Sequence, residues 1–170
     1  MPEVKMNETA WGNIIFRIAD ATETGEMPAS LEQLGKIKEN SISIDPQRGT
    51  KLQLKETGGG VHDQTEGEPV VTIGMTIIGI PVAMREMFWQ TEKKGEKTRV
   101  KSLITNKKFA IEILNPKVPG SDTLEIPKTS VFMGMLLADD EGYTAPLEIT
   151  ILKSEADAFF DMGVVGAETE

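Results

Sequence analysis

Short segments in which apolar and polar residues alternate recur along most of this chain, and this period of two constrains the fold more than any other feature. Leu52 and Leu54 alternate with lysine and glutamine in TKLQLKE, and Phe109, Ile111 and Ile113 repeat the pattern in FAIEIL. Successive side chains of a strand point to opposite sides, so such segments predict half-buried β-strands. About eight or nine of them, separated by turns, predict a mostly β fold, an antiparallel β-sandwich or barrel.

One segment departs from the alternation and predicts a helix at 81–94. Pro81 suits a first helical turn, while Met84, Met87 and Phe88 recur at helical spacing and form an apolar stripe. We expect this single helix to flank the sheet and to cover one open face or end of it.

The C-terminal part of the sequence predicts two long strands, followed by a segment that fits either a helix or a strand. The run LEIPKTSVFMGMLLA predicts a strand broken near Pro127, and DDEG predicts the hairpin turn that joins it to YTAPLEITILK. Residues 154–163 fit either a short helix or a final edge strand, and 164–170 predict a flexible acidic tail. No linker or repeat divides the chain, so we expect one domain over 1–170.

The charge balance and the absence of cysteine exclude several functions. Asp and Glu number 27 against 18 Lys and Arg, for a net charge of −9, which argues against sequence-specific binding of nucleic acid. Without cysteine the chain has no disulfide, thiol nucleophile or cysteine-zinc site. No signal peptide or membrane-spanning segment is visible, so we expect no membrane partner.

The stretch KETGGGVHDQTEGEP, residues 55–69, is where a chemical site would be sought first, because it holds the only histidine and three consecutive glycines. His62 lies near several carboxylates, but the spacing matches no metal motif. The glycines lack the lysine and hydroxyl of a phosphate-binding loop, and no serine occupies a nucleophile elbow. We therefore predict no cofactor, no metal and no catalytic residue, and an enzyme that uses His62 is the least favoured alternative.

The same stretch lies between two predicted strands, 51–56 and 69–80, and so predicts a long flexible loop at 56–68. Glycine gives such a loop mobility, and ordering it against a neighbouring subunit would carry an entropy cost. Trp89, one residue off the helical stripe, is a candidate contact with a neighbour. The candidate inter-subunit residues of the loop are Gly58, Gly59, Gly60, Val61, His62, Asp63 and Gln64.

The order of these elements resembles that of the tail tube (major tail) proteins of bacteriophages. The resemblance rests on LGKIKENSISID…GTKLQLKETGGG, on the helix PVAMREMFW and on the closing hairpin LEIPKTSVFMGMLLADDEGYTAPLEITILKS, over roughly residues 12–155. It implies a β-sandwich or barrel with one flanking helix and homo-oligomeric, hexameric rings that stack into a tube. DNA would pass through the lumen as cargo, and a long loop would reach the next ring.

The resemblance further implies a virion structural protein, of a phage or prophage, assembled in the bacterial cytoplasm and located in the virion tail. Its partners would be itself and other tail proteins. The alternative from the residues is a non-catalytic β-sandwich module that binds a carbohydrate or a protein partner, which would need an exposed aromatic platform.

Overall fold

The described chain is mostly antiparallel β-structure with one short helix, as the alternation predicted. A computed structural model describes residues 14–79, 82–118, 120–140 and 142–164. Ten of the described strands join into one curled sheet that forms a half-barrel, and the others form two separate two-stranded hairpins. In chain order the elements are β1 (Ile15–Asp20), β2 (Glu32–Gln33), β3 (Lys36–Ile37), β4 (Ser43–Gln47), β5 (Lys51–Lys55), β6 (Val61–Glu66), β7 (Val70–Ile78), α1 (Val82–Phe88), β8 (Gln90–Lys94), β9 (Lys97–Ser102), β10 (Phe109–Leu114), β11 (Asp122–Met133), β12 (Leu136–Ala138), β13 (Gly142–Ile151) and β14 (Asp161–Val164).

The main sheet follows the order β2–β1–β10–β11–β13–β7. Both β3 and β4 pair with β7, and β12 pairs with the beginning of β13. Because the sheet curls, β3 comes to lie beside β1, and the backbone nitrogen of Leu34 donates to the carbonyl oxygen of Phe16 at 3.2 Å. The two ends of the sheet therefore approach each other across one core.

The concave side of the sheet holds this core. In β1, Phe16 and Ile18 are buried while Arg17 between them points to the convex side, and the other long strands alternate in the same way. Burial of these apolar side chains supplies the main stabilisation of the fold. The core side chains are Phe16, Ile18, Leu34, Ile73, Met75, Ile77, Phe88, Trp89, Phe109, Ile111, Ile126, Val131, Met133, Ala145, Leu147, Ile149 and Ile151.

The helix predicted at 81–94 is real but shorter, since α1 ends at Phe88 and β8 begins at Gln90. The segment QTEKK offers no apolar side chain to continue a helical stripe. It instead pairs with β9 through a tight turn in which Gly95 has a φ of +62°, a value that favours glycine. The prediction of a helix over 90–94 was therefore wrong.

The predicted break at Pro127 was also wrong, because β11 runs through it without interruption. Between the pairs Phe109–Thr129 and Ile111–Ile126, two residues of β11 oppose one of β10, which is a β-bulge. A bulge tolerates proline, since the missing N–H is not needed for the ladder there. The strand ends instead before Gly134, where β12 follows.

Of the two structures that residues 154–163 fit by sequence, helix or edge strand, the structure has an edge strand at the end, because β14 (Asp161–Val164) pairs with the first half of β11. Residues 154–157 form a tight turn, in which the backbone nitrogen of Asp157 donates to the carbonyl of Ser154 at 3.0 Å. The predicted tail 164–170 lies outside the described residues except for Val164.

Candidate assembly interface

A two-stranded arm projects from one edge of the main sheet. The pairing of β4 with β7 continues into the pairing of β5 with β6, so one long ribbon leaves the sheet and turns back. Within the described chain, β5 and β6 contact each other and no other element. At about 3.3 Å per residue, the paired strands and their turn extend by roughly 25 Å. We call residues 48–69 the arm.

The arm joins the sheet at a close approach between two glycines. A Cβ atom added to Gly49 would lie only 2.0 Å from the carbonyl oxygen of Gly67. The backbone nitrogen of Gly67 donates to the carbonyl oxygen of Thr50 at 2.9 Å, which closes the ribbon at this point. The base of the arm therefore requires glycine at position 49.

The two faces of the arm differ in chemistry. Alternate residues of a strand share a face, so Leu52 and Leu54 lie together on one side, opposite Thr65 and Asp63 of β6, and each leucine has 64% of its surface exposed. On the opposite side, the Gln53 amide nitrogen donates to the Gln64 amide oxygen at 2.8 Å. The arm thus presents a small apolar face that no other described element covers.

The predicted flexible loop 56–68 is largely an ordered hairpin, and this corrects the sequence interpretation. Its second half is strand β6, and only residues 56–60 form the turn, in which Gly58 and Gly59 have φ values of +106° and +92°. The backbone nitrogen of Glu56 donates to the carbonyl of Gly60 at 2.8 Å. The glycines are needed for the shape of this turn.

His62 is the extra residue at a bulge in β6, because Leu54 pairs with Asp63 and Lys55 pairs with Val61. Its Nδ1 atom lies 3.1 Å from a carboxylate oxygen of Glu56, and 63% of its side chain is exposed. Of the predicted loop residues, the structure therefore places three in the turn and Val61–Gln64 in β6. In the described chain, no group of three or more histidines and carboxylates is arranged to hold a metal ion.

Trp89, the candidate contact with a neighbour, is buried within its own subunit. Only 8% of its surface is exposed, and its indole nitrogen donates to the carbonyl oxygen of Met133 at 3.0 Å. Its neighbour Phe88 packs its ring 5.1 Å from that of Phe109. The end of α1 therefore closes the core from the concave side.

A second projecting hairpin is formed by β8 and β9. Within the described chain it contacts only α1. Residues 90–102 carry five basic and two acidic side chains, for a net charge of +3 in a chain of net −9. We call this segment the basic hairpin, and its local excess of lysine and arginine was the signal in the sequence.

Glu86 of α1 anchors the basic hairpin. Its carboxylate accepts hydrogen bonds from the Thr98 hydroxyl at 2.8 Å and from the Lys93 ammonium at 3.1 Å. These bonds, first that from Thr98 and then that from Lys93, lower the pKa of Glu86 below its ordinary value of 4.5. The anchored face of the hairpin, with Lys93 and Thr98, is therefore the one that meets the helix.

A second exposed apolar surface lies on the convex side of the main sheet. Phe132 and Leu136 are 49% and 60% exposed. The register places Leu136, Thr144 and Ile78 side by side on three adjacent strands. The non-alternating run MGMLLA was its signal, because consecutive apolar residues in a strand must place some side chains outside the core.

No protein-family model matches this chain, and no curated protein matches it with significance. No helix in the described ranges combines the length and apolar character needed to cross a membrane. The arm, the basic hairpin and the convex apolar surface are therefore the features on which a functional argument rests.

Proposed function

We propose that this chain is a structural, self-assembling subunit that resembles a phage tail tube protein. In this proposal its copies form hexameric rings that stack around a lumen through which DNA passes. The observation that carries the proposal is the arm, which leaves the core and presents Leu52 and Leu54 to solvent.

The arm is difficult to explain in a solitary subunit. A two-stranded hairpin is marginally stable in water unless another surface packs against it. Its outer edges also leave backbone groups unpaired, which invites pairing with another chain. Contact with a second copy would cover the apolar face and the edges together, and a self-assembling subunit supplies that second copy.

The charge and the curl of the sheet fit the same proposal. Curled sheets from several subunits placed side by side would enclose a lumen. The net charge of −9 disfavours tight binding of the DNA backbone, so DNA would slide through as cargo. Other tail proteins would be partners at the ends of such a tube.

Electron microscopy of concentrated protein tests the proposal, and a pair of arm variants sharpens it. In the first variant Leu52→Asp and Leu54→Asp add two charges to the apolar face. In the matched control Gln53→Asp and Gln64→Asp add the same two charges to the opposite face. Each leucine that becomes buried contributes about 1.5–3 kcal/mol, so the first variant should weaken self-association by at least about a hundredfold.

A replacement of the arm completes the design. Thr50 and Gly67 are hydrogen-bonded neighbours, so residues 51–66 can be exchanged for the turn Asn-Gly without stretching the chain. We expect this variant to fold with an unchanged far-ultraviolet spectrum and to remain monomeric. Wild-type protein that stays monomeric at every concentration, without rings or tubes, would contradict the proposal.

The alternative, a carbohydrate-binding or protein-binding module, requires a binding surface on a single subunit. Its platform would come from exposed aromatic side chains, of which Tyr143 and Phe132 are examples. Tyr143 shares the core-side alternation of β13, while Phe132 pairs with Glu148 on the convex side, so these two rings cannot stack on one ligand. Specific binding on a glycan array by a monomeric protein would favour this alternative.

A further inference from the structure

An acidic row crosses the convex side of the main sheet. Glu112, Glu125 and Asp161 are cross-strand neighbours on β10, β11 and β14. Arg17 continues the row on β1, and its guanidinium lies 3.1 Å from the Glu112 carboxylate. One arginine thus faces three carboxylates. We call the three acidic residues, Glu112, Glu125 and Asp161, the acidic ladder. Among the described residues, neither Glu125 nor Asp161 forms an ion pair.

A cavity lies over the ladder. Its volume is about 390 Å³, and it is bounded by the Arg17–Glu112 pair, by Glu125 and by the segment 27–31. The segment brings Met27 and Leu31 to the edge of the cavity, but the exposed wall is mainly polar. A polar cavity with carboxylates on its floor suits the charged end of a lysine or arginine side chain.

The basic hairpin carries the opposite arrangement. Lys94 and Lys97 are directly opposite each other beside its turn, on the face that points away from the Glu86 anchor. Neither lysine forms an ion pair with a described residue. Like charges placed directly opposite destabilise a pair of strands, so an anionic surface here would stabilise the hairpin.

The two arrays cannot meet within one subunit. The basic hairpin continues from α1, and α1 packs Phe88 onto the concave side of the sheet. The ladder lies on the convex side, because Glu112 alternates with the core residues Ile111 and Ile113. Complementary surfaces on opposite faces of one sheet lead to a head-to-tail contact between copies.

We infer that the basic hairpin of one subunit docks on the acidic ladder of the next, with Lys94 or Lys97 entering the cavity beside Glu125. The inference rests on the proposed self-assembly and adds the surface pair that orients it. A head-to-tail contact that rotates into closure produces a ring. The two like-charged arrays are each unfavourable in an isolated subunit, and docking removes both repulsions at once.

Charge-swapped variants of the full chain test this pairing. The hairpin variant carries Lys94→Glu and Lys97→Glu, and the ladder variant carries Glu125→Lys and Asp161→Lys. We expect each alone to lower the association constant at least about tenfold in sedimentation at low salt, since like charges then face each other. Neutral Lys94→Gln and Lys97→Gln should give an intermediate loss.

Mixing the two variants provides the decisive test of the pairing. In an equimolar mixture, each contact between a hairpin variant and a ladder variant is again oppositely charged, half of them with the wild-type polarity and half reversed. In one chain that carries all four changes, every contact is restored with reversed polarity. Both should regain wild-type association, and raising the salt concentration should weaken it. Matched controls change the same charge elsewhere, with Lys107→Glu plus Lys108→Glu and with Asp139→Lys plus Asp140→Lys, and should behave as wild type.

The outcomes separate the two proposals. Rings or tubes that form equally well from all variants overturn the charge pairing and leave the proposed function standing. Charge-dependent pairs that the mixture rescues, without rings or tubes, support the pairing and contradict the proposed function. A wild-type protein that stays monomeric at low salt overturns both. If the hairpin variant loses only binding to random-sequence duplex DNA, the partner is a nucleic acid and the pairing is overturned.

Discussion

The indole nitrogen of Trp89 donates a hydrogen bond to the main-chain oxygen of Met133, 3.0 Å away, and so joins the end of α1 to the end of β11. The bond is buried, and it fixes the point at which the chain stops being helical and enters the basic hairpin. A residue that looked like a contact for a neighbouring subunit is therefore part of what holds the subunit itself together.

Replacing Trp89 should accordingly reduce stability. In Trp89→Phe the Met133 oxygen stays buried without its donor, so the free energy of unfolding should fall by about 1–3 kcal/mol. Urea denaturation followed by circular dichroism measures this. The exposed Tyr143→Phe is the control and should change stability by less than roughly 0.5 kcal/mol. An unchanged midpoint in Trp89→Phe would mean that the hydrogen bond contributes nothing.

Gly49→Ala should disturb the arm and spare the core. The new Cβ would approach the Gly67 carbonyl oxygen to 2.0 Å, so the backbone at the base of the arm must move. We expect weaker self-association and faster proteolysis of the arm, with the free energy of unfolding within roughly 0.5 kcal/mol of wild type. The control is Gly60→Ala, where the nearest atom to a new Cβ is a carboxylate oxygen of Glu56 at 3.7 Å. Equal association in the two variants would argue against a role for the arm base.

The anchor at Glu86 should make the basic hairpin sensitive to acid. Because the hydrogen bonds from Thr98 and Lys93 lower the pKa of Glu86, its contribution is complete above 4.5 and is lost as the pH falls through the lowered value. The protection of the β8 and β9 amides against exchange, relative to an unstructured peptide at the same pH, should therefore fall on acidification. In Glu86→Gln the β8 and β9 amides should be weakly protected already near neutral pH, and their protection should show no further fall where Glu86 would titrate. A step that persists in Glu86→Gln would place the titrating group elsewhere.

Lys153 ties the base of the arm to the body. Its ammonium lies 2.8 Å from the Asp157 carboxylate and 3.1 Å from that of Glu68. Hydrogen bonds to Asp157 and then to Glu68 raise its pKa above 10.5, so this tether is intact below pH 10.5 and is lost at higher pH. Lys153→Met should speed amide exchange at residues 67–70 by roughly two- to fivefold.

The matched control for this tether is Lys128→Met. Lys128 pairs with Glu155, which follows Lys153 closely in the chain but does not contact the arm. We expect amide exchange at residues 67–70 to be the same as in wild type. Faster exchange there in Lys128→Met would show that any loss of charge in this region loosens the arm.

The fold could be predicted where side-chain periodicity alone decides it. Phe109, Ile111 and Leu147 lie where alternation expects them, because one buried face is enough to specify a strand. The helix predicted from the sequence was too long, although QTEKK lacks apolar residues for a helical stripe, and the burial of Trp89 against Met133 could not be predicted because the two residues lie far apart in the chain. The sequence also predicted a flexible loop at 56–68, where the structure has a turn and strand β6, because the strand VHDQTE lacks apolar alternation.

The acidic ladder could not be predicted at all. Its members come from β10, β11 and β14 and become neighbours only through the register of those strands. Glu112 and Glu125 are each unremarkable in the sequence, where acids alternate with apolar residues on a solvated face. Their proximity is a property of topology, which periodicity does not encode.

The pairing of β7 with β13 has a consequence for how the chain acquires its structure. Ile73 lies beside Ile149, so β7, which pairs with β3 and β4 along one edge, receives the partner for its other edge only after roughly seventy further residues have been synthesised. The arm and the basic hairpin are local and need no such wait. On the ribosome, the protruding hairpins can therefore form before the core that carries them, and the nascent subunit exposes one edge of β7 until the C-terminal strands emerge.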